Sequence, residues 1–142
     1  MNIEGVDVYP GHACPHSTGK GCDDYANRPV EPCVNFMCGW VMEGSPLPEW
    51  MKPSNAKVLV LFNKLTWAGR PVDVAVPVGR RIPPRALNWL KQFAEKNLRP
   101  LIYTEQSGER GKYSREQTVL GHGPPEFQKQ VVQWIESGKK LW

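Results

Sequence analysis

The apolar pattern of this chain changes character at Ala56, and that change limits the folds open to it. Before it, apolar side chains are scattered among Gly, Pro and Asn with almost no period. After it, they fall into strand and helix periods. A segment without periodic apolar residues cannot easily close a core of its own, so residues 1–55 need an external staple, either a metal or cross-links. Residues 56–142 read as a compact α/β domain. The length suits one such domain with a small appended module, since cores of this size bury roughly 70% of the unfolded surface. The 14 prolines and 13 glycines predict a loop-rich chain. Three of the prolines lie in "GSPLPEWMKPSN", residues 44–55, which reads as an extended connector with Trp50 anchored on the following domain.

The C-terminal part is readable element by element. "KVLVLF", residues 57–62, predicts a strand buried on both faces. "VDVAVPV", residues 72–78, sets Val72, Val74, Val76 and Val78 on one face, and Pro77 places this strand at an edge or ends it. "PPRALNWLKQFAEKN" predicts a helix opened by prolines, with Ala86, Leu87, Leu90, Phe93 and Ala94 inward and Asn97 as its stop. "PLIYTE", residues 100–105, is the next strand, completing a βαβ unit with an expected right-handed crossover. The following 17 residues, "SGERGKYSREQTVLGHG", read as one long polar loop. "PPEFQKQVVQWIES" then predicts a C-terminal helix with Phe127, Val131, Val132 and Ile135 inward. The expected fold is α+β, or small α/β: a mixed sheet with a βαβ unit and a C-terminal helix, preceded by a loop-rich, metal-stapled segment.

All four cysteines fall between residues 14 and 38, and two of the three histidines flank the first. Zinc takes four N or S ligands in a tetrahedron. Cys33 and Cys38 supply one pair, and Cys14 with His16 or Cys22 the other. Neither pair has the C-x-x-C spacing, so two disulfides in one of three connectivities, or free thiols, stay open. "CPHSTGKGCD" resembles the S-x-H-x-x-G-x-A-x-D pattern of zinc peptidases of the D-Ala-D-Ala carboxypeptidase type, with Cys14 and Gly21 in place of its Ser and Ala. That resemblance implies zinc on His16 and Asp23, His122 as third ligand and a glutamate as general base. "CPH" is also similar to the first half of a Rieske iron–sulfur site. Phe36 stands where the second half needs histidine, which leaves an iron–sulfur cluster on the four cysteines as the lesser alternative to zinc.

Charge is divided as unevenly as apolarity. Residues 1–55 carry three basic and seven acidic side chains, a balance of −4, and residues 56–142 carry fifteen and seven, a balance of +8. A basic half attracts polyanions or acidic proteins. In the βαβ reading Arg80, Arg81 and Arg85 surround a helix N-terminus at the carboxyl ends of parallel strands, with Arg110, Lys112 and Arg115 closing over it from the long loop. Pro83 and Pro84 remove two amides that a tight phosphate cradle would use, so side-chain contacts to a nucleic-acid backbone or to an acidic protein fit better. Of the six tryptophans, Trp67 in a turn and terminal Trp142 are the ones a partner would meet. There is no P-loop, no G-x-G-x-x-G after a strand, no nucleophile elbow and no H-E-x-x-H.

The start, "MNIEGVDVYPG", has neither the basic nor the apolar region of a secretory signal, and no apolar run reaches the roughly 20 residues of a membrane span. The expectation is a small cytoplasmic zinc-binding protein with no membrane partner, acting by binding nucleic acid or an acidic protein, with catalysis left open. A zinc-dependent hydrolase using His16, Asp23 and His122, and a non-catalytic subunit of a larger assembly, are the alternatives.

Overall fold

The two apolar runs at residues 57–78 pair as one long hairpin. A computed structural model describes residues 1–109 and 112–141. After a short N-terminal hairpin, β1 (Asn2–Ile3) and β2 (Val6–Asp7), come the one-turn helix α1 (Pro53–Ala56), then β3 (Val58–Trp67) and β4 (Arg70–Pro77). Ala68 and Gly69, both at positive φ, make the two-residue turn between β3 and β4, the turn whose twist matches paired strands. β3 therefore runs five residues past the predicted strand and ends on Trp67. That side chain is half-buried and meets the Phe127 ring edge-on at 5.4 Å, so it is a packing residue and not a free turn.

Helix α2 (Pro84–Lys96) follows, with Asn97 capping it, and returns the chain to β5 (Leu101–Gln106), which lies parallel to β4. The predicted βαβ unit is thus present. Inside the stretch read as one long loop, β6 (Gln117–His122) pairs antiparallel with β5 from end to end. Its short, weakly alternating sequence "QTVLGH" conceals it: Gly121 lies on the inward face, where a Cβ would press on Val131 at 3.1 Å. The four-stranded sheet has the order β3-β4-β5-β6 and is mixed, consistent with the expected α+β class. β4 is internal, so Pro77 ends that strand without marking an edge.

Each face of the sheet carries a helix. Val58, Val60, Ala75 and Leu101 pack with Ala86, Leu90 and Ala94 of α2. Val72, Val74 and Ile102 pack on the other face with Phe127 and Val131 of α3 (Pro125–Glu136). Val132 and Ile135, expected inward, are 52% and 44% exposed; Trp134 fills the place instead, standing edge-on to Phe127. A face set by Phe127, Val131 and Trp134 is the regular i, i+4, i+7 stripe, and Val132 and Ile135 fall beside it. The proline-rich stretch is not extended either. It forms a turn at Glu49–Met51 followed by α1, and Leu47 and Met51 are buried on the α2 face.

The segment before it wraps the open edge of β3. Phe36 packs on the α3 side of the sheet and Trp40 on the α2 side, and between them the Gly39 N–H donates to the Val60 carbonyl at 2.6 Å. An edge strand left bare is a template for aggregation, and this crossing blunts it. Only glycine fits there, since a Cβ at residue 39 would lie 2.6 Å from the Phe62 ring. No helix among the described residues is long and apolar enough to cross a membrane.

Candidate functional site

The carboxyl ends of β4 and β5 lie side by side, joined where the Gln106 N–H donates to the Arg80 carbonyl at 2.9 Å. The Arg80 side chain is turned into the loop 107–116. Its guanidinium donates to the carbonyls of Gly108, Glu109 and Lys112. Arg80 thus uses three of its five N–H groups to hold the loop. The basic side chains around it point outward: Arg81, Lys112 and Arg115 are 76%, 77% and 76% exposed. Each has an acidic neighbour, Glu105 at 3.6 Å, Glu109 at 3.0 Å and Asp7 at 2.9 Å respectively. Exposed pairs of this kind contribute little, about 0–1 kcal/mol, and give way to a stronger anion. Arg85 lies over the Trp50 ring at 4.2 Å, the anchoring contact expected of that tryptophan. Arg110 and Trp142 lie outside the described residues.

The loop also meets the N-terminal segment. Arg115 reaches Asp7, and the Tyr113 ring lies so close to Gly11 that a side chain there would overlap it. Gly11 is at φ +86°, a conformation that favours glycine in any case. Beyond it, residues 14–23 form a tight hairpin: Ser17 bridges Cys22, the Asp23 N–H donates to the His16 carbonyl at 3.0 Å, and Thr18 closes on Gly21. This places Cys14, His16 and Cys22 on one small, solvent-facing element. The His16 Nδ1 meets the Asp23 carboxylate at 2.9 Å, so its Nε2 is the nitrogen left for a ligand.

Cys33 is half-buried in the turn Val30–Val34, and Cys38 is buried where the chain crosses the edge of β3. All four thiols are free. Among the described residues no three His, Cys, Asp or Glu groups converge on one point. His122 is apart from His16 and Asp23: it ends β6 and holds Glu95 of α2 at 3.0 Å.

A buried polar cluster lies elsewhere, one that the sequence pattern did not single out. Asp73 is 3% exposed in the middle of β4. Arg99 donates to both its carboxylate oxygens, through Nε at 2.8 Å and Nη2 at 2.7 Å, and Nη2 also reaches the Asn63 side-chain oxygen at 2.7 Å. The Asn63 N–H closes the set on Asp73 at 3.0 Å. Two features of β3 make this possible: its register shifts between Leu61 and Leu65, and Asn63 takes a left-handed conformation at φ +57°. The hydrogen bonds to Asp73 hold the Arg99 guanidinium above its ordinary pKa, against the opposing effect of burial. The signal was legible in "VDVAV", because a carboxylate inside an apolar strand demands a cationic partner.

Comparison of the chain with known protein families, with curated proteins and with solved structures finds no match.

Proposed function

We propose that this chain is a binding protein that takes the phosphate backbone of a nucleic acid on the basic rim at the carboxyl ends of β4 and β5. The observation that carries the reading is the division of labour there. Arg80 fixes the loop from within, and Arg81, Lys112 and Arg115 stand about three-quarters exposed around it. Side chains on a pre-set frame meet a polyanion without first ordering a loop. Arg85 adds a fourth cation beside the Trp50 ring.

The test is the salt dependence of binding to a single-stranded and a double-stranded oligonucleotide. Each phosphate that the protein no longer neutralises should flatten the slope of log K against log salt by about 0.7–0.9. Replacing Arg81, Lys112 and Arg115 with Gln should therefore weaken binding and flatten the slope by about two units. A slope that stays the same, or preference for an acidic protein over either oligonucleotide, overturns the nucleic-acid reading.

A zinc ion on the N-terminal segment accompanies this reading, its four ligands drawn from Cys14, the His16 Nε2, Cys22, Cys33 and Cys38. The supporting observation is the His16–Asp23 contact, since a carboxylate on the far nitrogen is the usual outer-shell partner of a metal-binding histidine. Asp23 then orients a ligand without being one. One zinc per chain, lost in Cys14→Ser and His16→Ala and retained in His122→Ala, is the expected result. Loss with His122→Ala would favour the hydrolase arrangement, and iron with sulfide would replace zinc by a cluster.

A further inference from the structure

The sheet has two edges, and the chain treats them differently. The Gly39 crossing seals β3. β6 borders only β5, and among the described residues no hydrogen bond from any other element reaches its main chain. Bond direction along β5 fixes which groups stay unpaired. The Asp73 N–H donates to the Pro100 carbonyl at 3.0 Å and the Gln106 N–H to the Arg80 carbonyl at 2.9 Å, so the even-numbered residues of this strand turn their main-chain groups toward β4. Leu101, Tyr103 and Glu105 turn theirs toward β6, onto His122, Leu120 and Thr118. Gln117, Val119 and Gly121 are left with N–H and C=O groups that point out of the sheet. β6 also lacks the devices that usually blunt an edge: it has no proline, lysine or bulge, and its register with β5 is unbroken.

α3 gives the same edge an apolar flank. Gly123 follows in the outward series, and its carbonyl accepts from the Gln128 Nε2 at 3.1 Å, which lays the Gln128 side of α3 along the edge. Gln128, Val132 and Ile135 form one i, i+4, i+7 stripe, and the two apolar members are the exposed ones, at 52% and 44%. A Cβ on Gly121 would meet Val131 at 3.1 Å, so Val131 stands over Gly121. Four helical residues of about 1.5 Å each match two strand residues of about 3.3 Å each, so Ile135 stands level with Val119.

We propose that β6 is a dimerisation edge, pairing antiparallel with β6 of a second copy about a twofold axis at Val119. Val119 then faces Val119 of the second copy, and Gln117 faces Gly121 of the second copy. Each pair exchanges two hydrogen bonds, so every outward group finds a partner. The same axis brings Ile135 against Ile135 of the second copy, which buries the exposed flank. It also sets His122 opposite Glu116 of the second copy, in the kind of pair whose side chains come closest. Glu116 is exposed and has no basic partner among the described residues, and His122 holds Glu95 through Nε2, leaving Nδ1 for it. This charge complementarity, repeated on both sides of the axis, favours a copy of this chain over an unrelated strand. Two six-residue strands with one helix flank each lie near the low end of stable interfaces, roughly 1,200 Å², so the dimer dissociates on dilution.

Sedimentation velocity of the intact chain in reductant, from about 1 μM to about 1 mM, is the test, with amide exchange measured at both ends of the range. Reversible dimerisation is expected. The amides of Gln117, Val119 and Gly121 should exchange slowly only at the high concentration, and those of Thr118, Leu120 and His122 slowly at both. Ile135→Lys sets two like charges at the axis and should raise the dissociation constant about tenfold or more. Because Ile135 is partly exposed, the melting temperature of the dilute chain should not change. Glu116→Gln should weaken the dimer less, by about two- to fivefold. A chain that stays monomeric at the highest concentration overturns self-pairing and leaves the edge to an extended segment of another protein. A dimer that Ile135→Lys leaves intact, or one in which the Gln117, Val119 and Gly121 amides exchange as fast as in the monomer, uses another surface and overturns it as well.

Discussion

Between Met1 and Met37 no side chain is buried, whereas from Cys38 onward the chain supplies both faces of a packed sheet. The later region is held by apolar packing on two sides of β4 and by one buried ion pair. The earlier region is held by short hydrogen-bonded turns and by three anchors: Phe36 on the α3 face, Asp7 on Arg115, and Gly11 against Tyr113. The difference teaches where the chain can open. Regions poor in buried apolar surface open at free energies well below that of global unfolding, and here such a region carries three of the four cysteines and two of the three histidines. The zinc proposed above would tie this segment together, since a metal that binds only the folded form stabilises it.

The sharpest test of the packed region is Asp73→Ala. It strands the Arg99 guanidinium beside a buried strand and removes the acceptor of the Asn63 N–H. Breaking a buried pair from one side costs about 3–5 kcal/mol. Urea denaturation should show a loss of that size, with the midpoint falling and the slope unchanged. A double variant, Asp73→Leu with Arg99→Leu, should recover much of the loss, since apolar replacement of both partners is often neutral. A single variant within about 1 kcal/mol of the parent would mean that the cluster adds little and that the two regions differ less than their packing implies.

Gly39→Val probes the junction between the regions. Its side chain would collide with Phe62, and overpacking of this kind costs about 1–3 kcal/mol. Because Gly39 also covers the edge of β3, the variant should self-associate more than the parent when partly unfolded. Sedimentation at the denaturation midpoint checks this; unchanged association with unchanged stability would show that residues 36–40 do not seal the edge.

Much of the packed region is readable from the sequence because its periods are long. "KVLVLF" marks a strand by its continuous apolar run and "VDVAVPV" by its alternation, and the buried α2 face is the one its spacing predicts. β6 escapes because six residues with a glycine on the inward face carry too little alternation to outweigh a polar setting. The sequence sets Val132 and Ile135 inward because apolarity alone does not say which of two overlapping stripes faces the sheet. The basic rim is legible as a location, since Arg80, Arg81 and the loop do meet at the carboxyl ends of β4 and β5. The role of Arg80 is not, because a guanidinium that ties down three carbonyls and one that binds phosphate have the same sequence signature. The buried cluster of Asn63, Asp73 and Arg99 is not legible as a set, because these residues come together only through the sheet.

The smallest global effect is expected from Gly11→Ala, and it tests the comparison most directly. Residue 11 sits at φ +86° against the Tyr113 ring, so a methyl group there is both strained and obstructed. The damage is local, because no buried side chain lies between residues 1 and 37 to carry it into the core. The denaturation midpoint, followed by the fluorescence of the core tryptophans, should move by less than about 0.5 kcal/mol equivalent. Amide exchange in residues 7–12 and in the loop 107–116 should instead accelerate, since the Tyr113 packing is one of the few links that join them. A fall in global stability of more than about 1 kcal/mol would show that the N-terminal segment folds as one unit with the sheet. Zinc added before the measurement sharpens the result. If the metal fixes Cys14, His16 and Cys22 on their hairpin, it should slow exchange at residues 14–23 in the variant as in the parent and leave residues 7–12 loose.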